Sequence, residues 1–370
     1  MNGHQIEIVI LACLTAATCA LPGVFLVLRR VALMSDAISH AILLGIVVAF
    51  FYTKNLASPL LLLGAAVVGL LTVSLTELII KTRKLKQDAA IGLVFPFLFS
   101  IGVILINHYT FDVHIDSDCV LFGEIAFAPF NRLIVNNQDL GPQGIWVMGG
   151  ILALNVVFVS LFYKELKIAT FDPGLAASLG FFPGLIHYAL MALVSITAVG
   201  AFESVGSILV VALMITPPAT AYLLTDRLSR MLLLSCLIGM LSAGLGYWMA
   251  YALDASIAGS MATASGLIFL GVLVLAPEKG LLAKYLLRRW RRWDLPTDTL
   301  AVHLLQAEMA YAEEAERVVS HMNEHMLWTD DYTSGVIAHC LEQGLIKKVG
   351  NKLTLTPYGR EKAKTAISKD

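Results

Sequence analysis

Asp36 and His40 stand four residues apart at the start of an otherwise apolar run, Leu33 to Tyr52. On a helix that spacing puts both side chains on one face, so a carboxylate oxygen and an imidazole nitrogen can reach one cation. The donor pair suits manganese, iron or zinc, whereas calcium and magnesium prefer oxygen alone. An ionisable residue within a membrane-length apolar run costs about 3 kcal/mol or more, which makes it a candidate for function. A plainer reading is also open: Asp36 caps a helix N-terminus and His40 is a satisfied interior histidine. Glu203 has the same two readings, in the glycine-flanked stretch Gly200-Ala-Phe-Glu-Ser-Val-Gly206. Asp112, Asp116, Asp118 and Glu124, with His108 and His114, form either a vestibule that attracts cations or a solvated loop.

Other chemistries find no footing. No G-x-x-x-x-G-K-[ST] loop is present to cradle nucleotide phosphates, and no Ser/His/Asp or paired-carboxylate set suggests a hydrolase. The five cysteines show neither a CxxC pair nor zinc-type spacing, and a net charge of -1 gives no global field for nucleic acid.

The elements that must position these residues are apolar. The chain of 370 residues is 58% apolar and 14% charged, against about a quarter charged in a soluble domain. Apolar runs extend over Ile6–Leu28, Leu33–Tyr52, Pro59–Ile80, Ala89–Ile106, Trp146–Tyr163, Leu185–Ala201, Val205–Leu224, Met231–Tyr251 and Ile257–Ala276. At about 18 to 25 residues each they match a hydrocarbon layer of about 30 Å, giving about eight or nine membrane-crossing helices. The first lacks the basic lead of a signal peptide and reads as a retained span. Basic residues follow every second span: Arg29 and Arg30, Lys81 to Lys86, Lys164 and Lys167, Arg227 and Arg230, then Lys284 to Arg292. These loops face the cytoplasm, and the segment from Asn107 to Gln143 faces outside. Two interruptions are expected, at Gly200–Gly206 and at the Pro217-Pro218 pair, where helix hydrogen bonds are lost.

After Pro277 the composition changes. Residues 281–296 form a basic, tryptophan-containing interfacial linker between a transmembrane domain, 1–280, and a cytoplasmic domain, 297–370. The latter reads as helices Thr299–Ala310, Glu313–His325 and Asp331–Gln343, followed by a hairpin turning at Gly350-Asn351. The expected fold class is an all-α polytopic membrane protein with a small α+β tail.

Three segments carry a family resemblance. Arg29-Arg-Val-Ala-Leu-Met-Ser-Asp-Ala-Ile-Ser-His-Ala41 resembles the signature of the zinc/manganese/iron ABC importer permeases, called ABC-3. Val205-Gly-Ser-Ile-Leu-Val-Val-Ala-Leu-Met-Ile-Thr-Pro-Pro-Ala-Thr-Ala221 is similar to a second hallmark, and Phe171-Asp-Pro-Gly-Leu-Ala-Ala-Ser-Leu-Gly180 to the cytoplasmic coupling segment. The resemblance implies two paired permease subunits, an ABC ATPase dimer beneath them and an extracytoplasmic metal-binding protein, in the inner membrane of a bacterium. It also implies an intramembrane metal site at Asp36 and His40, with the metal as cargo and no permanently bound cofactor. Glu203 falls where many members carry a basic or small residue. Asp172-Pro173 suits the opening of a short helix whose Phe171, Leu175 and Leu179 a motor subunit can grip.

The tail resembles the winged-helix DNA-binding domain of diphtheria-toxin-type metal-dependent repressors, through Gly344-Leu-Ile and Leu353-Thr-Leu-Thr-Pro-Tyr-Gly359, a part most relatives lack. His303, Glu308, His321 and His325 read as surface residues, and Lys347, Lys348, Lys352 and Arg360 either as phosphate contacts or as a solvated face. The expected function is ATP-driven import of a divalent transition metal by alternating access, with ATP hydrolysis in a partner chain. The alternatives are a membrane-anchored metal-responsive transcription regulator and an ion-coupled secondary carrier.

Overall fold

The computed structural model describes residues 3–54, 59–109, 125–135, 138–285, 293–309, 326–350 and 352–367. Two compact units divide the chain, Met1–Gly280 and Leu281–Asp370. The first contains α1 (Gly3–Leu28), α2 (Leu33–Thr53), α3 (Pro59–Lys81), α4 (Gln87–Tyr109), a hairpin of β1 (Arg132–Val135) and β2 (Gln138–Pro142), and α5 (Gln143–Leu161). It continues with α6 (Tyr163–Phe171), α7 (Pro173–Ser178), α8 (Pro183–Val205), α9 (Ser207–Leu224), α10 (Leu228–Leu253) and α11 (Ile257–Leu275). Among the described residues, nine helices are long and apolar enough to cross a membrane, all of these except α6 and α7. This is a polytopic all-α membrane protein with short strand pairs outside the spans.

Helix α1 is the most enclosed, packing against α5, α8, α9 and α10, while α2 packs against α3, α4, α8 and α9. Lipid gives helices no hydrophobic reason to associate, so close approach at small residues takes over. At the α2–α3 crossing a Cβ on Gly64 would lie 2.7 Å from the Gly45 carbonyl oxygen, and one on Gly45 would meet the Gly64 carbonyl in turn. Buried Asn155 of α5 staples three helices: its Nδ2 donates to the Thr18 carbonyl of α1 and to Thr197 Oγ1 of α8, each at 3.0 Å.

Both expected interruptions are milder than the sequence suggests. Helix α8 runs unbroken through Gly200 to Val205, and only Gly206, at φ 79°, leaves the helical region. Gly200 is there for packing, since a Cβ would collide with Ile151 of α5. Helix α9 also continues through Pro217 and Pro218. A proline cannot donate to the carbonyl four residues earlier, so Pro218 frees the Met214 oxygen. That oxygen lies over Gly23 of α1, where any Cβ would overlap it.

The β1–β2 hairpin is tied down by Arg132. Arg132 Nε lies 2.5 Å from Asp139 Oδ2, and Nη2 donates to Glu7 Oε1 of α1 at 3.4 Å. The neighbouring guanidinium, helped by the Gly141 N–H, holds the Asp139 carboxyl below its usual pKa.

The second unit comprises α12 (Asp294–Met309), α13 (Asp330–Glu342), an antiparallel hairpin of β3 (Ile346–Val349) and β4 (Lys352–Leu355), and α14 (Pro357–Ile367). Its core gathers Leu300, Leu304, Val336, Cys340, Leu345, Leu353 and Ala363. Helix α12 starts five residues ahead of the expected Thr299, and the expected helix Glu313–His325 lies outside the described residues. Helix α14 was not foreseen, although Thr356 caps it by accepting from Gly359 N at 3.0 Å, with Pro357 at its first position. Glu308 is not a plain surface residue: it is mostly buried and accepts a forked pair from Arg360, at 2.8 and 3.3 Å.

The Gly23 contact yields a direct check. Gly23→Ala should lower the stability of the detergent-solubilised protein by about 1–3 kcal/mol, the usual cost of overpacking. Thermal unfolding followed by circular dichroism measures it, and an unchanged midpoint would show that α1 and α9 do not meet there.

Candidate functional site

Asp36 lies in the first turn of α2 and His40 one turn on, with Asp36 Oδ1 3.4 Å from His40 Nε2. The carboxylate does not cap the helix: the N-cap residue, Ala32, makes no side-chain cap bond, and among the described residues Asp36's one ion-pair partner is His40. Two phenylalanines of α4 hold the imidazole, Phe95 stacked at 5.8 Å between centroids and Phe99 edge-on at 6.1 Å. Neighbouring serines are spent on the helix itself, Ser35 on the Ala32 carbonyl and Ser39 on the Ser35 carbonyl. The pair is half-open, with 39% of the Asp36 side chain and 33% of the His40 side chain exposed. A separation of about 3.4 Å is also the edge of a tetrahedron of donors about 2.1 Å from a metal. Among the described residues no group of three or more His, Cys, Asp or Glu gathers.

Glu203 sits near the far end of α8, a helix that enters from the side where α2 begins, and its side chain lies outside the described residues. Asp116 and Asp118, with Asp112, His114 and Glu124, also lie outside them.

The segment Phe171–Gly180 forms an elbow between α6 and α7. Asp172 Oδ1 accepts from Leu175 N at 2.9 Å and Pro173 takes the first helical position, so the local sequence sets both the stop of one helix and the start of the next. The elbow ends at Gly180, at φ 85°, where Phe181 N donates back to the Ala176 carbonyl. Ala176 is buried, while Phe171, Leu175, Leu179 and Phe182 are exposed at 61%, 49%, 56% and 73%. Four large apolar side chains are thus exposed within a short stretch of chain.

Sequence reasoning missed a polar network beside this elbow. Glu77, near the end of α3, accepts from Tyr188 Oη at 2.5 Å and lies 2.6 Å from His187 Nε2, both on α8. His187 Nδ1 is 3.1 Å from Arg29 Nη1, and Arg29 Nε donates to Thr170 Oγ1 of α6, also at 3.1 Å. Arginine can only donate, so Nδ1 is the acceptor and the neutral ring carries its proton on Nε2, toward Glu77. Partial burial lowers the Arg29 pKa from its usual value, but a guanidinium stays charged. A signal existed: Glu77 is an acid inside an apolar run, the same criterion that singled out Asp36.

Relatives agree with this architecture. The zinc transport system membrane protein TroD of Treponema pallidum (strain Nichols) is 45% identical over 353 residues, covering 95% of this chain and 96% of that one. The manganese transport system membrane protein MntD of Bacillus subtilis (strain 168) is 49% identical over 273 residues, covering 74% of this chain and 92% of its own. The similarity to TroD thus reaches into the second unit. The solved structure of PsaBC from Streptococcus pneumoniae in complex with Fab shares the fold at a TM-score of 0.63 and 30% identity, covering 75% of this chain and 94% of that one. Residues 4–276 match the ABC 3 transport family, and on that match the chain belongs to this family.

Proposed function

We propose that the chain is the permease subunit of an ATP-driven importer, and that Asp36 and His40 hold its cargo, a divalent manganese, iron or zinc ion, during alternating access. The observation that carries this reading is the Asp36–His40 pair, half-open on α2 and spaced for one metal ion. A half-exposed carboxylate cannot face hydrocarbon without a cost of several kcal/mol, so it faces water or another subunit. A second permease chain presenting its own Asp/His pair across a two-fold axis would raise two ligands to four, two oxygens and two nitrogens, a donor set transition metals accept. The names of the relatives, zinc and manganese transport system membrane proteins, support the cargo class.

The remaining partners follow from chemistry at the two faces. The turns that hold Arg29 and Arg30, Lys81 to Lys86, and Arg227 and Arg230 mark the cytoplasmic side of the inner membrane. The α6–α7 elbow sits on that side and is the docking point for a dimer of ABC ATPase subunits, while an extracytoplasmic metal-binding protein delivers cargo to the opposite face. The second unit follows α11 into the cytoplasm, where its described helices and hairpin serve as a winged-helix-like accessory domain.

Removing one ligand should cost metal uptake at limiting concentration about tenfold or more. Radiolabelled manganese or zinc uptake in cells expressing Asp36→Ala or His40→Ala at normal levels measures this, and uptake equal to wild type removes the site. Charges on the elbow should prevent motor docking: Leu175→Asp with Leu179→Asp is expected to lower recovery of the ATPase subunit in affinity purification by about tenfold, as loss of interface anchors does. Recovery unchanged from wild type would move the docking point elsewhere.

A further inference from the structure

The network around Arg29 joins four separate pieces of the bundle. Arg29 belongs to the turn between α1 and α2, Thr170 to α6, His187 and Tyr188 to α8, and Glu77 to α3. Thr170 immediately precedes Phe171, where the elbow begins, and Arg29 lies seven positions before Asp36 on the continuous segment that enters α2. The turn itself is stiff: Arg29 N donates to the Phe25 carbonyl at 3.0 Å, Val31 N to Leu26 at 2.9 Å and Met34 N to Val31 at 2.9 Å, with Arg30 at φ 60°. A push on the Arg29 side chain is therefore passed to the start of α2 and not absorbed by a flexible loop.

The joint is also incompletely bonded. Arg29 Nη2 is buried with no acceptor among the described residues. Unmet buried donors and acceptors are costly, and a joint that exchanges partners between two arrangements leaves some unmet in each. The contacts that are made are directional: Arg29 to His187, His187 to Glu77, Tyr188 to Glu77.

We propose that Arg29, His187 and Glu77 are positioning residues that transmit movement of the α6–α7 elbow to α2 and α3, and so couple nucleotide turnover to the Asp36–His40 site. This rests on the importer reading above. A network serving stability alone would have no reason to link the elbow to the turn that carries α2.

The test uses the full chain assembled with its ATPase subunits and partner permease in proteoliposomes, with the delivering protein supplied. Manganese, iron(II) or zinc uptake, each offered alone, and ATP hydrolysis are read on the same preparation. Arg29→Gln and His187→Leu are expected to lower uptake per ATP hydrolysed by about tenfold, a typical coupling between sites. Thr170→Val, which removes one hydroxyl and leaves the bundle packing intact, should lower it by about threefold, the worth of one hydrogen bond. His187→Gln keeps an acceptor for Arg29 and a donor for Glu77, and should stay within about twofold of wild type. Uptake per ATP unchanged in Arg29→Gln and Thr170→Val overturns the proposal, as does a parallel loss of uptake and hydrolysis, or His187→Gln behaving like His187→Leu. A wild-type assembly that moves none of the three metals sinks the importer reading itself, a result distinct from a wild type that transports and variants that match it.

Discussion

Direct backbone contact between α2 and α3 at Gly45 and Gly64 is the constraint on which the placement of the site depends. Apolar side chains gain nothing by leaving lipid for one another, so the helices that carry function must be located by dispersion and by the few polar groups that cross between them. With a side chain at either glycine, α2 would stand off from α3. His40 would then lose its seat against Phe95 and Phe99, because α4 approaches α2 from the same pair. The Gly23–Met214 contact does the same for α1 and α9, and Asn155 fixes α5 to both α1 and α8.

Much of this was legible in the sequence because apolar length and charge placement follow directly from the solvent. The nine apolar runs become nine helices, with ends shifted by a few residues where a helix extends into the interface. What the sequence obscured was the meaning of breakers. Gly200 and the Pro217-Pro218 pair read as interruptions, yet the glycine admits Ile151 and the carbonyl freed by Pro218 is covered by Gly23. In lipid, backbone groups released by proline are met by neighbouring helices, so the helix survives.

The pair Asp36 and His40 was visible because both residues lie on one helix, four apart. Glu77 escaped notice because its partners are remote in sequence, Tyr188 being 111 positions away, and periodicity carries no information about them. The α6–α7 elbow was legible for the opposite reason, since Asp172, Pro173 and Gly180 encode a cap, a start and a left-handed stop within ten residues. Helix α14 carries equally local signals in Thr356 and Pro357, which the neighbouring hairpin pattern masked.

Two carboxylate–imidazole pairs in one bundle have opposite fates, and geometry decides between them. Glu77 and His187 approach to 2.6 Å, closer than two donors stand around a first-row metal ion, and a guanidinium sits 3.1 Å from the far ring nitrogen. A divalent cation there would meet a fixed positive charge and a carboxylate already occupied by a tyrosine hydroxyl and an imidazole N–H. Asp36 and His40 stand 3.4 Å apart, flanked by phenylalanines whose faces are electron-rich, and 39% and 33% of their side-chain surfaces are open. The charge of Glu77 is neutralised within the chain, which suits a mechanical link between helices. On the proposed importer reading, that of Asp36 is left for a passing cation.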